Sequence, residues 1–178
     1  MFSSFAPKSV PEISAVSLNT ENIAAALAVA DRCFPNPQDQ SFLRGHWARV
    51  LAGNATYFCP DDEAQLTLLD HFVYTQGGEV IAFGGLYRHD AQPDREWLNW
   101  FGVDPGYRGH GHGYTIIEHL AGVALRRGSS ILVGYTEECE ENAGTKRFYV
   151  SLQFKPTDLY LFRGEEVRLY ERKLKGDT

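Results

Sequence analysis

No stretch of this chain stays uncharged for more than eleven residues, Val50 to Pro60. A membrane-spanning helix needs ~18 or more apolar positions, so no membrane partner is expected. The opening MFSSFAPKSVPEIS lacks the apolar core of ~7–15 residues that a secretory signal carries, and the expected location is the cytoplasm. Cysteine is scarce. Cys33, Cys59 and Cys139 are far apart, cannot all pair with one another, and form no Cys-x-x-Cys spacing, so they read as reduced packing residues. Basic residues are outnumbered, 17 against 23, giving a net charge of −6. That balance argues against nucleic acid as a partner, because phosphate neutralisation needs clustered Lys and Arg. An anionic ligand would have to be held by a local site.

What is present describes one globular domain. The 178 residues are 43% hydrophobic and 13% aromatic, a composition that excludes a disordered or collagen-like chain. Pro7 and Pro11 disfavour regular structure at the start, so residues 1–13 read as a tail and 14–178 as the domain. A short apolar segment, Ile13 to Leu18, precedes two helices. The first carries the stripe Ile23, Leu27, Ala30 and Phe34 and stops at Pro35. The second, capped by Asp39 or Ser41, carries Phe42, His46/Trp47 and Val50/Leu51 and ends at Gly53.

From Gln65 to Arg88 the period changes to that of strands. Two β-branched and aromatic runs meet at Gly77-Gly78, whose tolerance of positive φ suits a tight hairpin. A third strand, Glu96 to Val103, leads into a glycine-rich loop and a helix bearing Ile116/Ile117, Leu120 and Val123/Ala124, stopped by Gly128. A short buried strand (131–135), a helix (142–152) and two strands around Gly164 complete the order β-αα-βββ-α-β-α-ββ, a mixed α/β domain.

The segment VDPGYRGHGHG (103–113) runs from a strand end through a loop into a helix. Glycines let backbone approach a ligand, and the free N–H groups at a helix start favour phosphate. A P-loop would need a lysine and Ser/Thr after its last glycine, where the chain has Tyr114-Thr115. A dinucleotide loop starting at Gly109 would need glycine at Tyr114. Neither nucleotide motif fits.

The segment resembles the acyl-CoA loop of the GNAT superfamily of acetyltransferases, Arg/Gln-x-x-Gly-x-Gly/Ala after a strand ending in Val-x-Pro. Here it reads Val103-Asp104-Pro105 and Arg108-Gly109-His110-Gly111-His112-Gly113. A second family motif, Asn-x-x-Ala-x-x-Phe-Tyr before a Gly-Phe strand start, is matched by Asn142 to Tyr149 and then Gln153-Phe154, with Thr145 for Ala and Gln153 for Gly. The resemblance covers about residues 14–174. It implies a central, mostly antiparallel sheet with a V-shaped split between the strand ending at Val103 and that formed by 131–135, flanked by helices.

The same resemblance implies acetyl-CoA as cosubstrate, with no metal. Backbone N–H groups of Arg108, Gly109, His110, Gly111, His112 and Gly113 would hold the pyrophosphate. Main-chain groups of Phe101, Gly102 and Val103 would line the pantetheine and thioester, and Asn142 would hold the arm from the other side. It implies transfer of acetyl to a primary amine of a small molecule or peptide by direct attack. The alternative is a non-catalytic acyl-CoA-binding module, and assembly as a homodimer stays open.

Direct transfer needs a neutral amine and a proton for the departing thiolate. Tyr149 matches the family's tyrosine. A phenol of reference pKa ~10 can donate to a thiolate whose acid titrates near ~8.5, so Tyr149 is both a candidate acid and a cofactor contact. Glu96 is a candidate base, although alternation puts it on a face with Leu98, Trp100 and Gly102, opposite Trp97, Asn99, Phe101 and Val103, unless a bulge intervenes. Glu137 and Glu138 are other candidates, as is a relay through water. A zinc reading of His110 and His112 finds no third ligand at a recognisable spacing. The rigid Phe34–Ser41 loop, with its Pro-Asn-Pro, is where this family often shapes acceptor selectivity.

Overall fold

The computed structural model describes residues 12–60, 63–140, 142–162 and 165–175; most of the expected tail and the turn at Gly164 lie outside the described residues. Its elements are β1 (Ser14–Ser17), α1 (Ile23–Cys33), α2 (Pro37–Leu51), β2 (Thr56–Cys59), β3 (Ala64–Gln76), β4 (Glu79–His89), β5 (Arg95–Val103), α3 (His112–Arg126), β6 (Ile131–Glu137), α4 (Ala143–Ser151), β7 (Lys155–Phe162) and β8 (Glu165–Lys173). The expected order holds with one addition. β2 was not expected, and it adds to β3 in antiparallel register from Thr56↔Thr67 to Cys59↔Ala64.

The strands form one sheet in the order β1-β3-β4-β5-β6-β8-β7, with β2 also on β3. Every pair is antiparallel except β5 with β6. Gly77 and Gly78 both take positive φ, 58° and 85°, in the β3–β4 turn, the conformation that matches the twist of a two-residue hairpin.

Helices cover both faces. α3 buries Ile116, Ile117, Leu120 and Ala124 against Ile81, Leu86, Leu98 and Leu132 on one face. On the other, α1 and α2 bury Ala26, Val29, Ala30, Leu43 and Trp47 against Val73 and Phe83. The inner stripe of α1 is thus Ala26, Val29 and Ala30, while Ile23, Leu27 and Phe34 are only partly buried at its margins. Small residues win that position because the helix packs close to the sheet. A Cβ on Gly102 of β5 would lie 3.0 Å from Cys33 Sγ. α2 starts earlier than expected: Pro37 fills its first turn and the Asn36 side chain accepts from Gln38 N–H at 2.8 Å, the arrangement a helix start favours.

Two irregularities of β5 create the site. β5 pairs with β6 only through Arg95↔Ile131, Glu96↔Leu132 and Trp97↔Val133. Beyond that point β5 stays with β4 as far as Val103, and β6 stays with β8 as far as Glu137. The sheet therefore opens as a V, as the family resemblance implied. The second irregularity is a bulge, since Gly85 pairs with Asn99 but Phe83 with Gly102, one residue too many on β5. The extra residue reverses the alternation. Trp97, Asn99, Trp100 and Gly102 face the α1/α2 side, whereas Leu98, Phe101 and Val103 join the α3 core. Phe101 and Val103 are thereby moved off the face that simple alternation assigns to them.

Candidate active site

The loop after β5 engages the amides of Gly106, Tyr107 and Arg108, the last on Pro105 O at 3.5 Å, and leaves those from Gly109 to Tyr114 without an acceptor among the described residues. A single 3-10 turn at Pro105–Tyr107 is capped by Asp104, which accepts from Gly106 N–H at 2.9 Å and from Arg32 Nε at 2.8 Å. Burial alone would raise the Asp104 pKa, but the Gly106 amide and Arg32 outweigh it and hold the carboxyl below its ordinary value. This contact pins the end of α1 to the start of the loop. Gly109 and Gly111 then take φ of 80° and 82°, a region costly for residues with a Cβ. Gly111 caps α3, and the first amide of that helix to find a backbone carbonyl is Thr115, on Gly111 O at 3.2 Å. The preceding N–H groups of the helix start have no intrahelical acceptor.

The candidate phosphate-binding residues share this turn but differ in setting. Arg108 folds back, donating from Nε to Val103 O at 3.0 Å. The Cys33 thiol also donates to that carbonyl, at 3.3 Å, so one of the groups expected to line the pantetheine already has two partners. His110 is exposed, while His112 is buried in the first turn, its Nδ1 without a hydrogen-bond partner among the described residues. Burial, and then the neighbouring His110, lower the His112 pKa, which keeps the ring neutral. Gly113 packs under α4, where an added Cβ would meet the Phe148 ring at 3.1 Å. Glycine at 113 is thus a packing requirement as well as an open approach.

Tyr149 lies at the V from the α3 side. It is 3% exposed and stacks on Tyr170 at 5.1 Å, with Phe154 at 5.3 Å and Phe101 at 6.4 Å. Its ring rests on the β6 backbone: a Cβ on Gly134 would lie 2.7 Å from Cε1 and Cζ and 2.9 Å from the hydroxyl oxygen. Burial, reinforced by Tyr135 and Tyr170, pushes the phenol above its ordinary pKa. Asn142, at the cap of α4, donates from Nδ2 to Cys139 Sγ at 3.1 Å and lines the cleft on the opposite side.

That cleft, about 570 Å³, opens on the α1/α2 side of the V. Asn99 and Trp100 of β5 form one wall and Tyr135, Thr136 and Glu137 of β6 another, with Phe34 and Asn36 before α2 and Asp39 of its first turn at the rim; residues 37–41 of the expected selectivity loop are helical. Its described lining holds three carboxylates, Asp39, Glu137 and Glu165, and no Lys or Arg. Glu138 is instead engaged by Lys146 at 2.8 Å and Arg168 at 3.3 Å. Among the described residues no group of three His, Cys, Asp or Glu could hold a metal ion.

Glu96 is not brought to this cleft. It is fully buried in the paired part of β5, opposite Leu132, and its Oε1 accepts from Arg127 Nε at 2.7 Å and Ser129 Oγ at 3.0 Å. The expected base therefore serves as an ion-pair partner at the closed end of the sheet. What the sequence reading did not find is a polar chain on the cleft side. Tyr57 Oη lies 2.8 Å from His46 Nε2, His46 Nδ1 lies 3.3 Å from Asn99 Oδ1, and Asn99 Nδ2 lies 2.8 Å from His71 Nε2. These residues come from β2, α2, β5 and β3, and only their types, not their spacing, could have suggested the contact.

Residues 31–154 match the model of the Acetyltransferase (GNAT) family. The chain belongs to that family and is an acyltransferase. Solved structures agree in fold. A GNAT-family protein from Desulfovibrio desulfuricans superposes with a TM-score of 0.77 at 14% identity, over 92% of this chain and 100% of that one. The ribosomal-protein-S18-alanine N-acetyltransferase of Escherichia coli gives 0.67 at 21%, over 94% and 97%. The Salmonella typhimurium protein yncA, solved with acetyl-CoA, gives 0.63 at 17%, over 94% and 96%. No curated protein matches the chain in sequence. No helix among the described residues is long and apolar enough to cross a membrane.

Proposed function

We propose that the protein transfers acetyl from acetyl-CoA to a primary amine of a small molecule or peptide by direct attack. The observation that carries this reading is the V itself: backbone polar groups need partners, and β5 beyond Trp97 has a free edge toward β6. An extended amide-bearing arm suits that edge. The loop fits a pyrophosphate, because its free amides lie at a helix start beside glycines held at positive φ. Arg108 to Gly113 would hold the phosphates, Phe101 to Val103 and Asn142 the arm, and Tyr149 the sulfur end.

In this reading Tyr149 supplies the proton for the departing thiolate. Its burial keeps the phenol neutral, and the same apolar surroundings would make a thiolate beside it a stronger base. No enzyme nucleophile is required, and burial pushes the Cys33 thiol up in pKa, away from reactivity. Three carboxylates, with no Lys or Arg among the described lining residues, make the cleft favourable to a cationic acceptor. The test is a panel of amines and peptides, scored by thiol release from acetyl-CoA and by mass of the product. Cationic amines are expected to lead; a panel in which only alcohols or thiols are acetylated would overturn the proposal.

A further inference from the structure

We propose that Tyr57 and His46 form the proton acceptor for the incoming amine, held in register by Asn99 and His71. The inference rests on the acetyl-transfer reading above, and it begins at the buried end of the chain. His71 is 4% exposed, and its Nδ1 lies 2.9 Å from Leu69 O. A carbonyl can only accept, so Nδ1 carries the hydrogen and Nε2 is left as an acceptor. Asn99 must then turn its NH2 toward His71 Nε2, which leaves its Oδ1 to accept from Trp100 N–H at 2.9 Å; Oδ1 and Nδ2 both lie 3.3 Å from His46 Nδ1, so Asn99 meets that nitrogen in either protonation state and Oδ1 accepts from it when it carries a hydrogen. The ring of His71 cannot swing away easily, because it lies flat on Gly85, where an added Cβ would be 2.3 Å from Cδ2.

An imidazolium at His46 is therefore provided for on both sides. Its Nδ1–H donates to Asn99 Oδ1 and its Nε2–H to Tyr57 Oη. In the neutral ring with hydrogen on Nδ1, the Tyr57 hydroxyl donates to Nε2 instead. Passing one proton along this pair needs only movement of the phenol hydrogen. Both residues line the cleft, and the phenol oxygen has two acceptor lone pairs. A cationic acceptor first gives one proton to water in the open cleft; as the neutral amine nitrogen then bonds to the acyl carbon, one N–H bond breaks and its proton goes to Tyr57 Oη. The Tyr57 proton goes to His46 Nε2. The carbon–sulfur bond then breaks, the thiolate takes its proton from Tyr149, His46 returns its proton to water through the open cleft, and Tyr149 regains a proton from water once the thiol has left.

Tyr57 is the catalytic residue in this scheme; His46, Asn99 and His71 act through it. Several groups among the described residues act on the balance of charge around the pair. Arg49 stands 4.5 Å above the Tyr57 ring, favouring loss of the phenol proton; His71, held neutral by burial, adds no charge; and Asp39, Glu137 and Glu165 across the cleft favour the imidazolium.

Two measurements on the full chain test the proposal. The first needs no acceptor: nitrogen NMR of the resting protein is expected to show His71 as the Nδ1–H tautomer and a His46 titration that moves in Tyr57→Phe and in Asn99→Leu. A His46 titration indifferent to both variants overturns the relay, whatever the protein acetylates. The second uses an amine that the wild type accepts. Tyr57→Phe and His46→Gln are each expected to lower kcat by ~10²–10⁴-fold, to remove the acidic limb of the pH profile, and to leave CoA affinity by calorimetry unchanged. Wild-type kcat and pH profile in both variants would equally overturn it. A wild type that acetylates no amine would count against the acetyl-transfer reading alone, since the NMR result decides the relay independently.

Discussion

The two ends of the β5–β6 pair are made of the same two strands and do opposite things. At the closed end Glu96 is clamped by Arg127, which also holds Asp70 at 2.9 Å, and by Ser129, so α3 is tied to the sheet where the backbones are fully paired. At the open end the strands part, and the space is bounded by Tyr149 on one side and the polar cleft on the other. A carboxylate of identical chemistry would be a base at one end and is a fastener at the other. Position along the strand, not residue type, decides the role.

The sharpest way to break that comparison is at the open end. Tyr149→Phe keeps the ring stacked on Tyr170 and removes the hydroxyl; kcat is expected to fall by ~10²–10⁴-fold, about 3–5 kcal/mol in the barrier. CoA affinity and melting temperature should barely move, and unchanged turnover would take Tyr149 out of the mechanism. At the closed end the expectation reverses. Glu96→Ala strands Arg127 and Ser129 and should cost up to about 3–5 kcal/mol of stability in a denaturant melt, reduced because Arg127 is partly exposed and retains Asp70. Turnover per folded molecule should persist; its loss in a folded variant would return Glu96 to the chemistry.

His71 gives a smaller, pH-dependent contrast. Burial lowers its pKa from an ordinary 6.5 to about 4, so between those values the unfolded chain binds the extra proton and the folded one does not. Stability is therefore expected to be full above pH ~6.5 and to fall toward pH ~4, by about 3 kcal/mol. His71→Gln should flatten that slope, and a slope unaltered in the variant would place the titration elsewhere. The smallest effect separates backbone from side chain in the loop. Gly111→Val, at φ 82°, should weaken CoA by roughly tenfold or more, ~1.4 kcal/mol, while exposed His110→Ala should change it little by calorimetry. Equal tolerance would put the phosphates away from this turn.

How much of this was legible depended on distance along the chain. The Gly77-Gly78 hairpin, the glycine loop and the element order could be read because each signal lies within a dozen residues. β2 escaped because four residues are too few to display alternation, and its partner β3 supplies the order. The β5 bulge escaped for a different reason: a run of Asn99, Trp100 and Phe101 carries no mark of which residue will be extra, and only pairing with Gly84-Gly85 settles it. The Tyr57–His46–Asn99–His71 chain spans four elements, so no local pattern contains it. The burial of Glu96 was half visible, in that alternation put it opposite Asn99, but its partner Arg127 lies 31 residues on.

The contact of Tyr149 with Gly134 has a consequence for inheritance. The phenol occupies the volume that any side chain at 134 would claim, so the two positions are not free to drift separately. A lineage that acquires even alanine at 134 must first lose or displace the aromatic ring at 149. A lineage that trades the tyrosine for something small is released from glycine at 134. The bare position in β6 is in effect a reservation made by a residue fifteen places later, and a change at either one is a forecast about the other.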